Sequence, residues 1–423
     1  MKSEVRDYQV NSKAMIRNEF KRGNKKVLLW LATGAGKTHI FCDMVKSAAA
    51  KGKKCLIVAR GRKLIDQASQ RLTREGVYHG VMMAGHWNYR PTMPVQVCSV
   101  DTLIARSISP PADLIIIDEA HLAASPGYIE WLKSYNTYII AVTATPWVDK
   151  SLRHVADTII HPITMMSLIE RNYLVPFRYF APQDPDLRSI KIVNKEYKND
   201  QLEVAMSGNA LTGKIIDHWK KLAQNRPTFL FAVNVNHSKM LVEKFCAAGI
   251  KAEHCEASTP DKERQKILDR IESGETQIVS NVGILCTGVD VPCIGAIIMA
   301  RPIYSSKNLY IQQAGRGTRI FPGKKDCLLL DHSGNIHRHG FPTDEELVEE
   351  INLDGEPIKR VIIETKRCPV CFSSFRGADC PECGTKAPIA PKIEIKESDE
   401  ELVEISSATI KKAFKNSVFK AVR

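Results

Sequence analysis

The sequence of 423 residues contains no apolar run near the roughly 20 residues needed to span a bilayer. Its first residues, MKSEVRDYQVNSKAMIRNEF, lack the apolar centre of a secretory signal. These absences leave a cytoplasmic protein without a membrane partner as the expectation. The 12 histidines form neither H-x₃-H nor H-E-x-x-H, so none is assigned as a metal ligand. There is no internal repeat and no low-complexity tract. Residues 341–358 (FPTDEELVEEINLDGEPI) contain no Lys or Arg, although the whole chain carries a formal charge of +13. A positive excess of that size favours a polyanionic partner. The acidic stretch is expected to be a solvated linker, with a decoy for a nucleic-acid groove as the alternative.

Hydrophobic residues make up 44% and charged residues 25%, a balance that fills two or three globular cores at this length. Near-continuous apolar runs at 27–32, 55–60, 95–100, 113–119 and 137–145 read as strands covered on both faces, as in a parallel sheet. A second set at 229–233, 277–281, 295–300 and 327–331 reads as a second α/β lobe. The expected organisation is a first lobe over 1–160, a connector over 161–205 and a second lobe over 206–340. An acidic linker (341–363), a cysteine module (364–388) and a charged tail (389–423) follow.

The strand VLLWLA runs into ATGAGKT (32–38). Glycines at 34 and 36 let successive N–H groups, Thr33 included, turn toward a phosphate. Lys37 would reach the β- and γ-phosphates and the Thr38 hydroxyl would hold Mg²⁺. Leu31 stands where the general phosphate-loop pattern has glycine. Asp118 and Glu119 end the strand LIIID within DEAH, where open parallel sheets bind ligands. Asp118 would hold Mg²⁺ through water and Glu119 would polarise the attacking water. Arg316 and Arg319, three apart, share one face of a helical turn; as a pair alone they read as a surface salt bridge.

Cys368, Cys371, Cys380 and Cys383 form two C-x-x-C knuckles joined by eight residues. That spacing builds a closed tetrahedral site, so Zn²⁺ there would be structural; an iron–sulfur cluster is the rival. The flanking Lys366, Arg367, Arg376 and Lys386 make the module basic and suggest contact with DNA. The other eight cysteines are scattered in apolar runs and read as small buried residues.

The ordered motifs over 6–334 resemble superfamily 2 helicases of the DEAH/DEAD-like group. The resemblance implies two tandem RecA-like parallel-sheet lobes followed by the small Cys₄ zinc ribbon. It implies that Gln9, in RDYQ, reads the adenine edge. It implies that Arg60, in VARGRKLIDQ, and Thr102, in SVDTL, contact the nucleic-acid backbone. DEAH and Thr143-Ala144-Thr145 match motifs II and III. FAVNVNHSKML (231–241) resembles motif IV, and IVSNVGILCTGVDVP resembles motif V. Within motif V, Thr287 is implied to touch nucleic acid, and Gly288 and Asp290 the nucleotide. QQAGRGTRIFPGK supplies Gln312, Arg316 and Arg319 of motif VI. His121, His332, His337 and His339 are expected near the cleft or its edge. DHSGNIHRHGFP followed by the Cys₄ cluster resembles RadD-type bacterial proteins and phage recombination helicases. The implied activity is that of a DNA helicase or translocase using ATP and Mg²⁺ on duplex or branched DNA. A single-strand-binding or recombination protein is the implied partner, in host cytoplasm if the gene is phage-borne. An RNA helicase and a DNA-binding adaptor with a decayed motor remain the alternatives; the intact Lys37, Asp118, Glu119, Arg316 and Arg319 argue against decay.

Overall fold

The computed structural model describes residues 6–147, 150–181, 187, 189–223, 226–286, 288–344, 351, 353–355, 366–368, 370–371 and 373–386. The charged tail, most of the acidic stretch and Thr287 lie outside them.

The first lobe is built on seven strands: β1 (Lys26–Trp30), β2 (Cys55–Ala59), β3 (Gly80–Met82), β4 (Val95–Ser99), β5 (Leu114–Asp118), β6 (Tyr138–Thr143) and β7 (Thr158–Ile160). They pair in the order β3-β4-β2-β5-β6-β1-β7, every pairing parallel. The five runs expected as strands form its centre and are buried along nearly their whole length. β3 and β7 were not expected. They are edge strands of only three residues each, too short to give an apolar run.

Crossover helices cover the faces as right-handed parallel connections require. The helix Arg62–Arg74 turns Ile65, Ala68, Ser69 and Leu72 inward at helical spacing and its arginines outward. Burying Ile65 and Leu72 contributes about 1.5–3 kcal/mol each.

The segment expected as a connector supplies β8 (Phe177–Phe180) to the second sheet, then a hairpin of β9 (Ile192–Val193) and β10 (Glu196–Tyr197). β11 (Thr228–Phe231), β12 (Ala252–Cys255), β13 (Ile278–Asn281), β14 (Ala296–Met299) and β15 (Cys327–Asp331) complete a second parallel sheet. Its order is β12-β13-β11-β14-β15-β8. Pro176 and Arg178 disguise β8 in the sequence; as an edge strand it tolerates both. A continuous apolar cluster runs between the lobes through Leu31, Leu174, Val175 and Ala314.

The acidic stretch is not simply a solvated linker. Leu353 is buried in the outer core of the first lobe with Leu152 and Val155. Its carbonyl accepts from Leu152 N at 2.7 Å, and Asp354 accepts from the Arg153 guanidinium at 2.9 and 3.2 Å.

Candidate functional site in the interlobe cleft

Both lobes meet at a cavity of about 440 Å³ lined by Thr33, Gly34, Gly36, Lys37 and Thr38 on one wall. Asp118 and Glu119 form its floor, and Gly288, Val289, Asp290, Arg316 and Arg319 the facing wall. The volume suits a nucleotide-sized ligand.

The phosphate loop leads from β1 into the helix Lys37–Ala49. Gly36 caps that helix in the left-handed region at φ 73°, and a Cβ there would stand 2.9 Å from Gln9 Nε2. The left-handed backbone favours glycine here, and any side chain would also have to displace the Gln9 amide. Gln9 reaches the loop at this point and receives Arg6 N at 3.1 Å through Oε1. It is not among the residues lining the cavity. The neighbouring Tyr8 hydroxyl donates to Ala35 O at 2.7 Å, a brace the sequence motif did not reveal.

Burial dominates the charges here. The Lys37 ammonium is pushed down by desolvation, with Glu119 and Asp118 opposing, and it donates to Leu31 O at 3.3 Å. Burial and the adjacent Glu119 push the Asp118 carboxyl up to about 7, against Lys37. Two carboxylates crowded beside one ammonium call for more positive charge. A divalent cation and its Thr38 and Asp118 donors fit that need. Glu119 has backbone φ 51° and ψ 55°, a left-handed position uncommon outside glycine, Asn and Asp. One oxygen of its carboxylate, Oε2, is buried and accepts no hydrogen bond.

His121 joins three motifs. Its Nδ1 lies 3.1 Å from Thr143 Oγ1 and 3.4 Å from the Glu119 carboxylate, and its Nε2 lies 3.4 Å from Gln312 Nε2. Burial lowers its pKa. A neutral ring with hydrogen on Nδ1 donates on one side and accepts from the Gln312 amide on the other. Gln312 thus reaches the site through His121 rather than lining it. The sequence placed these residues in separate motifs and gave no sign of their contact.

Arg316 and Arg319 both donate to Val289 O, at 2.7 and 3.0 Å, and Arg319 also pairs with Asp290 at 2.5 Å. Burial lowers both, Arg316 to about 10 with Arg319 adding to the effect. They remain charged at neutral pH. Gly315, just before them, packs against the phosphate loop so tightly that a Cβ would come 2.7 Å from Thr33 Cβ. Gly288 accepts at its carbonyl from Gln67 Nε2 across the cleft, 3.0 Å away.

Arg60 and Thr102 stand apart from this cavity, beyond the carboxyl ends of β2 and β4. Arg60 pairs with Asp101 at 3.0 Å, and Thr102 Oγ1 accepts from Ala84 N at 3.4 Å. His332 is not at the cleft. It stacks on His218 at 5.3 Å beside the cysteine module, in a cavity of about 270 Å³ that Cys371 also lines.

The four cysteine sulfurs lie within 4.8 Å of one another, with Cys368–Cys383 and Cys371–Cys380 each at 3.5 Å. Zinc–sulfur bonds of about 2.3 Å in a tetrahedron need sulfurs about 3.8 Å apart, so the cluster fits the metal. Val370 N donates to Cys368 Sγ at 3.4 Å, which suits a thiolate. The short strands β16 (Lys366–Arg367) and β17 (Ser374–Phe375) frame the module, and Ser373 bridges Phe180 of β8. Arg178 Nε donates to both Glu382 oxygens at 3.0 Å. Arg376, expected among the basic flanks facing DNA, is instead held by Asp344 at 2.8 Å and stacked on Phe341.

Residues 2–148 match the family described as type III restriction enzyme, res subunit, and residues 210–321 match the helicase conserved C-terminal domain. These two matches, in this order on these two lobes, make the chain a member of the superfamily 2 helicases. A 51.5 kDa protein of a Lactococcus phage is 28% identical over 389 residues, 89% of this chain and 82% of that protein. The putative ATP-dependent helicase IRC3 of Saccharomyces cerevisiae is 28% identical over 78% of this chain, which spans 51% of its length. A fragment of a putative HsdR subunit of a type I restriction enzyme from Vibrio vulnificus has the same fold. It gives a TM-score of 0.62 at 21% identity, over 82% of this chain and 69% of that one. The ATP-dependent type ISP restriction-modification enzyme LlaBIII, solved bound to DNA, gives 0.59 at 17% identity over 78% and 28%. Family membership implies an ATP-hydrolysing, nucleic-acid-dependent helicase or translocase with ATP and Mg²⁺ at its cleft. Among the described residues, no helix is long and apolar enough to cross a membrane.

Proposed function

We propose that this protein is an ATP- and Mg²⁺-dependent DNA motor that moves along duplex or branched DNA in recombination, repair or replication. The observation that carries this reading is the opposition, across one cavity, of Lys37, Asp118 and Glu119 to Arg316 and Arg319. Groups that bind phosphate and position water on one lobe face groups that neutralise transferring charge on the other. That division makes hydrolysis depend on how the lobes sit against each other. Thr33, Gly34, Gly36 and Thr38 cradle the phosphates, with Thr38 and Asp118 holding Mg²⁺. Gln9 contributes to adenine selection, and Gly288 and Asp290 tie the second lobe to the nucleotide. Arg60, Thr102 and Thr287 grip the strand by its phosphates, which carry no sequence information. DNA is favoured over RNA by the relatives: one is named a DNA 3′-5′ translocase, and two are type I restriction endonuclease subunits. The phage relative favours action in a host cytoplasm, alongside a single-strand-binding or recombination protein. The cysteine module holds one structural Zn²⁺.

ATP turnover with single-stranded DNA, duplex DNA, a four-way junction and RNA tests this. Stimulation by DNA, strongest on duplex or junction, is expected. Stimulation by RNA alone, or equal turnover without any nucleic acid, overturns it.

A further inference from the structure

Trp87 is 85% exposed, whereas Trp30, Trp131 and Trp219 are buried and Trp147 is partly buried. Its neighbour in the same loop, Tyr89, is 45% exposed, and Tyr78, just before β3, is 83% exposed. An isolated exposed aromatic is ordinary on a protein surface. The frame beneath this one is not. His86 is buried, lies 3.0 Å from the Asp66 carboxylate through Nε2, and accepts Asn88 N at 3.1 Å through Nδ1. Asn88 in turn gives its amide to His79 O at 3.3 Å and receives Val81 N at 2.9 Å. His79 is anchored on Ser69 at 2.7 Å. Gln96 Nε2 ties down the return of the loop at Arg90 O and Met93 O, 2.7 and 2.9 Å away. The flanking residues 86 and 88 are thus buried and bonded, and the indole between them points outward with the His86 ring 5.6 Å away.

Location gives the exposed ring its meaning. The loop leaves the carboxyl end of β3, the edge strand of a sheet whose next members are β4 and β2. Because all three run parallel, the loop shares one edge with Thr102, which follows β4, and Arg60, which follows β2. Ala84 N, three residues before Trp87, donates to Thr102 Oγ1 at 3.4 Å. The nearby acids are engaged, Asp66 with His86 and Asp101 with Arg60, while Arg90 adds positive charge beside Tyr89.

We propose that Trp87, with Tyr89 beside it, is a stacking platform for an unpaired base of the strand that the first lobe grips. This rests on the reading of the protein as a nucleic-acid motor, and it adds a base contact to a track otherwise made of phosphate contacts. A π-face accepts any base, so the platform carries no sequence preference. It gives the lobe a way to hold a single strand, or the opened end of a duplex, more tightly than an intact one.

The test compares the parent protein with Trp87→Ala and Trp87→Phe. The probes are labelled oligothymidylate, the same backbone with abasic sites, and duplex DNA, all at one salt concentration. The alanine variant is expected to bind oligothymidylate about tenfold more weakly, with an unchanged salt slope and unchanged melting. The phenylalanine variant should recover most of the loss, and duplex affinity should not change. Oligothymidylate should quench the parent's indole emission, and the abasic strand should bind the parent as weakly as oligothymidylate binds the alanine variant. Equal binding of the base-bearing strand by parent and alanine variant overturns the platform, as does equal binding of base-bearing and abasic strands by the parent. A parent that binds no nucleic acid overturns the motor reading itself.

Discussion

The two lobes furnish opposite walls of one cavity, but they hold their charges in different ways. On the first lobe, Lys37, Asp118 and Glu119 answer one another's charge where they stand. On the second, Arg316 and Arg319 are occupied by their own lobe, both on the carbonyl of Val289 and one on Asp290. The first wall is set for phosphate and metal. The second is braced, its guanidinium groups fixed on Val289 O while the Nε of Arg316 is still without an acceptor. Binding can therefore belong mostly to one lobe and rate to the other.

The comparison breaks most visibly at the first wall. Glu119→Gln is expected to lower stimulated ATP turnover by about 10⁴-fold while nucleotide binding persists, since only the water-positioning charge is lost. Lys37→Ala should lose both. Turnover and equilibrium nucleotide binding, with circular dichroism to confirm the fold, check this; near-parent turnover in either variant would remove the residue from the site.

Arg316→Ala and Arg319→Ala sharpen it from the other side. Each should cost about 10³-fold in turnover at saturating ATP, with nucleotide affinity within about threefold of the parent. A fall in affinity with turnover intact would make them binding groups and erase the distinction between the walls.

A smaller effect is expected at the cysteine module. Cys380→Ser with Cys383→Ser should abolish binding of the one zinc proposed for the module and lower the melting temperature by about 5 °C. The clasp of Arg178 on Glu382 and of Arg376 on Asp344 favours a bracing role. If the variant melts like the parent but fails only on junction DNA, the module reads branches instead.

The smallest effect is a dependence on acid. Burial pushes the imidazoles of His237 and His332, both in the second lobe, down to about 4 and about 3. Their folded pKa values lie below the unfolded value of about 6.5. The unfolded chain therefore binds protons first as pH falls, and the stability these rings contribute is present above about 6.5 and is lost progressively below it. Melting curves at pH 7 and pH 5 should show the parent weakened at pH 5, and His332→Phe should narrow the gap. A gap unchanged in that variant would clear His332 of the effect.

Much of this could be seen in the letters. Runs such as LIIID and CLLLD are apolar on both faces because both faces are covered, and each became a central strand. β8 and β12 escaped notice because edge strands tolerate the arginine of FRYF and the Glu-His of AEHC. The phosphate loop and DEAH announce their chemistry through spacing. Contacts between motifs do not: that His121 touches Gln312, or that Val289 O holds two arginines, depends on two lobes meeting. Leu353 is likewise one of several apolar residues scattered through an acidic run, and only packing makes it an anchor.

The bridge between Phe180 and Ser373 has a consequence for handling and for life under metal scarcity. β8 is the last strand of its sheet, and the cysteine module lies along its open side. Stripped of the zinc proposed for it, a module this small would lose its main source of folding energy, and Phe177–Phe180 would be left as a bare edge with ladder groups to satisfy. A second molecule in the same condition supplies the natural partner. Chelation should thus be felt first as concentration-dependent self-association, seeded from one end of the second sheet, in molecules whose nucleotide site is still whole.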